Sequence, residues 1–185
     1  MTKQQKKLIW IDLEMTGLIP EIDRVIEMAT VITNSELDIL AEGPEIVIWQ
    51  SDLILAGMDS WNTKHHKKSG LIKRIKKSSI TESQAQLETI SFIQKHVKKN
   101  ESPICGNSVC QDRRFLARWM PDLEAYFHYR HLDVSSLKIL AEYWAPNILK
   151  TLRKESRHRA KDDILESIGE LKHYREKFIT TENKI

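Results

Sequence analysis

The sequence predicts an α/β domain: a mixed sheet that opens with an antiparallel meander and is flanked by helices. The first observation is the apolar run Leu8-Ile9-Trp10-Ile11, which passes into Asp12-Leu13-Glu14 and a Thr16-Gly17 turn and reads as a buried strand. The second is a pair of further strand-like runs, Arg24 to Thr33 and Leu37 to Trp49, joined by the turn Asn34-Ser35-Glu36. The third is the alternation of helical and strand-like patterns from residue 81 onward.

The elements follow in order. Gly17 to Asp23 is a loop containing Pro20, and the third strand is expected to break near Gly43-Pro44. Residues 53–77 suit small helices. Thr81 to Val97 reads as a helix capped by Thr81 or Ser83, with Ala85, Leu87, Ile90, Phe92, Ile93 and Val97 as its apolar face and Phe92 a partial misfit. Ser102 to Gly106 is a short buried strand. Asn107 or Ser108 then caps a helix that runs to about Trp119 and stops at Pro121. His131 to Val134 is a strand, followed by a helix capped by Ser135 or Ser136 that ends before Pro146. Ala160 to Phe178 is the last long helix.

With 185 residues, 41% of them hydrophobic, the chain has material for one ordinary core, and a single domain over 1–185 is expected. There are 29 Lys and Arg against 26 Asp and Glu, a net charge of +3 that neither requires nor excludes a nucleic-acid partner. The two cysteines, Cys105 and Cys110, fit neither a redox nor a zinc spacing and point to free thiols in a reducing cytoplasm. Lys3, Lys6 and Lys7 precede an apolar run, but Asp12 and Glu14 interrupt it too early for a secretory segment. No stretch is long and apolar enough to span a membrane.

Asp12 and Glu14 carry the chemistry. Side chains alternate along a strand, so both carboxylates face one side, about 7 Å apart along the backbone. On a buried strand they repel each other and resist desolvation, and a hard divalent cation such as Mg²⁺ or Mn²⁺ removes both penalties. The plainer alternative is a pair of acids ending the strand in water. On the terminal helix, Ala160, Ile164, Ile168, Leu171, Tyr174 and Phe178 share one face. Asp162 falls almost opposite that face and Asp163 on its flank, so helix phase selects Asp163 as the acid able to reach a cleft. His158 can share a site with it only from the loop before the helix. Alternatively, Asp163 is a first-turn acid placed by the helix dipole, and His158 a solvated loop residue. Seven Lys or Arg lie between Lys64 and Lys77, around His65 and His66 and just after Trp61; a solvated basic face and a phosphate-facing one remain open.

Asp12-x-Glu14, Asp112 on a middle helix and His158-x-x-x-x-Asp163 together resemble the DEDDh 3′→5′ exonucleases. Supporting stretches are Ile9 to Leu18, Cys105-Gly106-Asn107-Ser108, Gln111 to Leu116 and Leu123 to Arg130, so the resemblance covers nearly the whole chain. Within that superfamily it is similar to bacterial enzymes that finish RNA decay on very short oligoribonucleotides. Cys110 departs from the family, where a small residue such as glycine is expected, and its place beside Asp112 suggests sensitivity to oxidation.

The resemblance implies a ribonuclease H-like fold and a two-metal mechanism using Mg²⁺ or Mn²⁺. Asp12, Glu14 and Asp163 would hold one ion, Asp12 would bridge to the second, Asp112 would act through water, and His158 would be the general base. It also implies release of 5′-mononucleotides from dinucleotide-sized RNA. Leu18 and Trp61 would wedge and stack on the bases, Ser108 and Ser135 would bond the 5′-phosphate, and Tyr129 and Arg130 would reach in from a partner subunit of a homodimer. Each has a plainer alternative: Leu18 packing under its loop, Trp61 half in the core, the two serines as helix caps, Tyr129 and Arg130 as interface residues only. The aromatic run Tyr126-Phe127-His128-Tyr129 is expected to mark the dimer surface. A related exonuclease acting on longer RNA or DNA, and a binding module without turnover, are the competing readings.

Overall fold

The computed structural model describes residues 6–152 and 159–179. Strand β1 (Lys7–Met15) pairs antiparallel with β2 (Val25–Asn34), and β2 with β3 (Ile39–Val47), which is the expected meander. Three small helices follow: α1 (Asp52–Ala56), α2 (Ser60–Lys68) and α3 (Leu71–Ile75). Helix α4 (Glu82–Ile93) starts at a capping box in which Thr81 and Gln84 bond each other's backbone. Then come β4 (Ile104–Gly106), α5 (Val109–Trp119), α6 (Pro121–Glu124), β5 (His131–Asp133), α7 (Val134–Trp144), α8 (Pro146–Leu149) and α9 (Ala160–Lys177). Strands β4 and β5 add parallel to β1, giving the sheet order β3-β2-β1-β4-β5.

The alternation of β1 divides the core in two. Ile9, Ile11 and Leu13 face one side, where they pack with Ala85 and Ile93 of α4 and with Phe115 and Leu116 of α5. Trp10 faces the other side with Val134 and Ala141 of α7 and Ile164, Ile168, Leu171 and Tyr174 of α9, and its indole N–H donates to Thr33 Oγ1 at 3.0 Å. Asp12 and Glu14 share the parity of Trp10, so the strand presents them to the α9 side.

Several expectations need correcting. The third strand does not break at Gly43-Pro44: a bulge sets both residues against Thr30, because Ala29 pairs with Glu45 and Val31 with Glu42. A Cβ on Gly43 would stand 2.7 Å from the Phe92 ring, so the glycine admits the residue that misfits the α4 stripe. Leu87 is exposed. Gln86 is buried in its place because its amide oxygen accepts the N–H groups of Asp122 and Leu123 at the start of α6. Neither Ser135 nor Ser136 caps α7; Asp133 does, accepting the N–H of Ser135. Ser108 stands at the head of α5 in the left-handed region, φ 50°, with no side-chain cap bond. Pro121 and Pro146 each begin a short helix, where their missing N–H costs nothing. Of the aromatic run, Phe127 is core and Tyr126 donates its hydroxyl to Val97 O at 2.9 Å, so only the end of the run, near Tyr129, faces outward.

Candidate active site

The first turn of α9 stands against the acid-bearing face of β1. Carboxylate oxygens of Asp12, Glu14 and Asp163 lie within 4.8 Å of one another. Helix phase thus selected the acid that joins the strand pair; Asp162 is half-buried beside it rather than fully in water. Asp112, in the first turn of α5, is buried, and its Oδ1 accepts the backbone N–H of Leu13 at 2.9 Å.

This packing is electrostatically costly. Burial first, and then the charges of Asp112, Glu14, Asp163 and Glu27, hold the Asp12 carboxyl well above its ordinary range. Burial and the neighbouring Asp163, Glu27 and Asp112 push Glu14 up to about 8, with Arg74 opposing them. Burial pushes Asp112 up to about 7 even though the Leu13 N–H stabilises its charge. A set of converging oxygen donors fits a hard divalent cation, which offsets the repulsion and favours the ionised form of Asp12, Glu14 and Asp112.

Two residues at the site carry no signal that sequence spacing had picked out. Glu27 sits opposite Glu14 in the β1–β2 register, is buried, and is paired with Arg74. An acid inside the apolar run Val25-Ile26-Glu27-Met28-Ala29 was the available clue. Arg74, one of the seven basic residues between Lys64 and Lys77, is thus engaged by a buried acid. His66, buried on α2, donates its Nε2–H to Met15 O at 3.0 Å, and its Nδ1 lies 3.9 Å from Glu14 Oε2.

The flanking candidates divide. Leu18 is 67% exposed rather than packed under its loop. Asp23 closes that loop by accepting Thr16 Oγ1 and the Ile19 N–H, and Gln111 of α5 holds the Leu18 carbonyl at 2.6 Å. Trp61 is not a core residue: it is 56% exposed and stacks on His65 with ring centroids 3.8 Å apart. Ser108 and Ser135 meet, their hydroxyl oxygens 3.1 Å apart, with the Ser108 N–H donating to both Asp133 and Ser135. Tyr129 and Arg130 precede β5 at the N-terminal ends of the parallel strands, whereas Asp12 and Glu14 lie toward the C-terminal end of β1. Within one chain they stay apart from the carboxylates. Their loop is pinned by Arg113, which donates to the carbonyls of His128 and Tyr129. Cys110 is exposed and Cys105 buried, both as free thiols. His158 lies outside the described residues.

The mixed sheet thus carries, at the end of its first strand, a carboxylate cluster that could hold a metal ion. The sequence profile of the RNase T family, described as exonuclease, matches residues 9–171. Among solved structures the chain resembles exonuclease I, with TM-score 0.73, 16% identity and coverage of 93% of this chain; a zinc-bound E. coli exonuclease I–ssDNA complex gives 0.71, 15% and 95%. The chain spans about two-fifths of those exonuclease I chains, 41% and 42%, and at this identity the likeness is one of fold. Its sequence relatives are nearer. The oligoribonuclease of Alcanivorax borkumensis is 58% identical over 97% of this chain and 99% of its own; that of Ectopseudomonas mendocina is 61% identical over 93% and 96%. That of Coxiella burnetii is 60% identical over 91% and 92%. The chain belongs to the oligoribonuclease family of 3′→5′ exoribonucleases.

Proposed function

We propose that the protein removes 5′-mononucleotides from the 3′ end of very short oligoribonucleotides, dinucleotides above all, and that residues 1–185 form a single exonuclease domain acting in the cytoplasm. The convergence of Asp12, Glu14 and Asp163 within 4.8 Å carries this reading. These three acids would hold a divalent cation, Mg²⁺ or Mn²⁺, and Asp12 with Asp112 would help hold a second. When bound, the pair supplies positive charge to the attacking and leaving oxygens of an in-line displacement at phosphorus. His158 takes the proton of the attacking water, and the 3′ oxygen of the penultimate nucleotide leaves.

The chain's own surface argues for small substrates. Leu18 and Trp61 are exposed apolar groups suited to wedging and stacking on bases, worth about 1–3 kcal/mol per base. Ser108 and Ser135, brought together by Asp133, offer hydroxyls to a 5′-phosphate. In a homodimer, the exposed Tyr129 and Arg130 of each chain complete the other's site, which accounts for their separation from the carboxylates of their own chain.

The test is initial-rate cleavage of 5′-labelled RNAs of two to seven nucleotides, with Mg²⁺ or Mn²⁺ and with chelator. Metal-dependent cleavage fastest on the dinucleotide is expected. Rates that hold or rise with length would overturn the closed site and favour an exonuclease of longer RNA or DNA. Folded, metal-loaded protein that cleaves nothing would be a binding module.

A further inference from the structure

Glu27 stands where an acid is hard to keep. It lies in the buried strand β2, 2% exposed and directly opposite Glu14, and its charge adds to the repulsion at the carboxylate cluster. Both of its oxygens are engaged away from the clustered acids. Oε1 accepts from the Arg74 guanidinium, and Oε2 accepts the backbone N–H of Ala160 at 3.4 Å.

That N–H is the first of α9. The opening N–H groups of a helix have no partner within it and need a cap. Arg159, at the N-cap position, makes no side-chain cap bond, and Ala160 is 1% exposed, so solvent is kept from it. Glu27 supplies the acceptor from 133 residues away, with a charge of the sign that a helix N-terminus favours. The next residue continues the attachment: Lys161 pairs with Glu42 and Glu45 of β3 at 2.8 and 3.2 Å. Asp163 follows Ala160 by three residues on the same side of the helix, its N–H bonded to Arg159 O at 3.0 Å. The height and rotation of this turn therefore decide where the Asp163 carboxylate meets Asp12 and Glu14.

We infer that Glu27 is a positioning residue: by holding the Ala160 N–H it seats the first turn of α9, and through it Asp163, against the acids of β1. The consequence for metal affinity rests on the cation site proposed above; the seat itself is a matter of backbone. Two other roles leave different traces. A structural pair with Arg74 needs the charge of Glu27, as does a through-space attraction for the cation, whereas the seat needs only an acceptor oxygen. Glu27→Gln keeps that oxygen and loses the charge, and Arg74, 31% exposed, can turn its guanidinium to water. Glu27→Met keeps the bulk and loses both.

The experiment is hydrogen exchange of the α9 amides in EDTA, followed by calorimetric titration with Mn²⁺. It compares wild type, Glu27→Gln, Glu27→Met, Asp163→Asn and Glu27→Met/Asp163→Asn as full chains, with thermal melts to check each fold. Exchange over residues 160–164 is expected to be at least about tenfold faster in Glu27→Met and within about threefold of wild type in Glu27→Gln, although both melt lower. Mn²⁺ is expected to bind at least about tenfold more weakly to Glu27→Met and within about threefold of wild type to Glu27→Gln. The double variant is expected to bind it no more weakly than Asp163→Asn, since a residue acting through Asp163 has no further effect once that carboxylate is gone. Equal changes in the glutamine and methionine variants would assign Glu27 to the charge pair, and an additive loss in the double variant would place it on the ion itself. Either result overturns the proposal, as does unaltered exchange in Glu27→Met. If Glu27→Met does not fold, Glu27→Gln decides: a loosened first turn overturns the seat and an intact one supports it. Wild type that binds no Mn²⁺ would overturn the metal reading of the cluster and leave the exchange result to decide the seat.

Discussion

Asp112 Oδ1 accepts the Leu13 backbone N–H at 2.9 Å, so an acid of α5 is fastened to the strand that carries Asp12 and Glu14. The bond and the charge are separable. Asp112→Asn keeps an acceptor oxygen and loses the charge; Asp112→Ala loses both and leaves the Leu13 N–H unpaired, at about 1–3 kcal/mol. Both variants are expected to cleave dinucleotides at least about a hundredfold more slowly. In chelator, only the alanine variant is expected to melt lower than wild type. Equal melting of the two would mean the bond contributes nothing.

The raised carboxyls predict how stability varies with pH. Glu14 moves from 4.5 to about 8 and Asp112 from 3.8 to about 7. The folded chain therefore keeps protons that the unfolded chain has already released. The stability these groups contribute is present below about pH 4 and is lost as pH rises to about 8, at most about 1.4 kcal/mol per unit per group. Metal-free protein is expected to lose melting temperature between pH 5 and 8.5. An excess of divalent cation, which binds the ionised acids, is expected to flatten or reverse that slope. A flat profile in EDTA would refute the repulsion inferred for the cluster.

Trp61→Ala removes an exposed ring, so the melting temperature is expected to stay within about 1 °C of wild type. KM for a dinucleotide is expected to rise about tenfold or more from lost stacking, with Trp61→Phe recovering part of it. A large stability loss with unchanged KM would return Trp61 to a structural role.

Asp133 accepts N–H groups from Ser135, at the start of α7, and from Ser108, at the head of α5. Asp133→Ala is expected to cost about 0.5–2 kcal/mol as a lost cap. It should also loosen the Ser108–Ser135 pair, raising KM for 5′-phosphorylated dinucleotides more than for unphosphorylated ones. Equal effects on the two substrates would separate the serines from phosphate recognition.

What the sequence disclosed and what it hid have physical causes. The period-2 alternation of β1 and the phase of α9 are local, and they pointed to Asp12, Glu14 and Asp163 before any contact was known. Glu27 and His66 were hidden because what buries each lies far along the chain, Arg74 at 47 residues and Met15 at 51. Gln86 displaced Leu87 from the core for the same reason: its amide is satisfied by backbone N–H groups 36 and 37 residues away. The aromatic run misled because hydrophobicity alone does not distinguish Phe127, which fills the core, from Tyr129, which is exposed.

The bulge at Gly43-Pro44 bears on how chains meet. On the outer strand β3, Pro44 offers no N–H, the bulge twists the ladder, and Glu42 and Glu45 flank it with charge. The other edge, β5, is only three residues long. Among the described residues neither border offers a long, flat edge to a further strand, so an added chain would have to meet this sheet through side chains rather than through its backbone ladder.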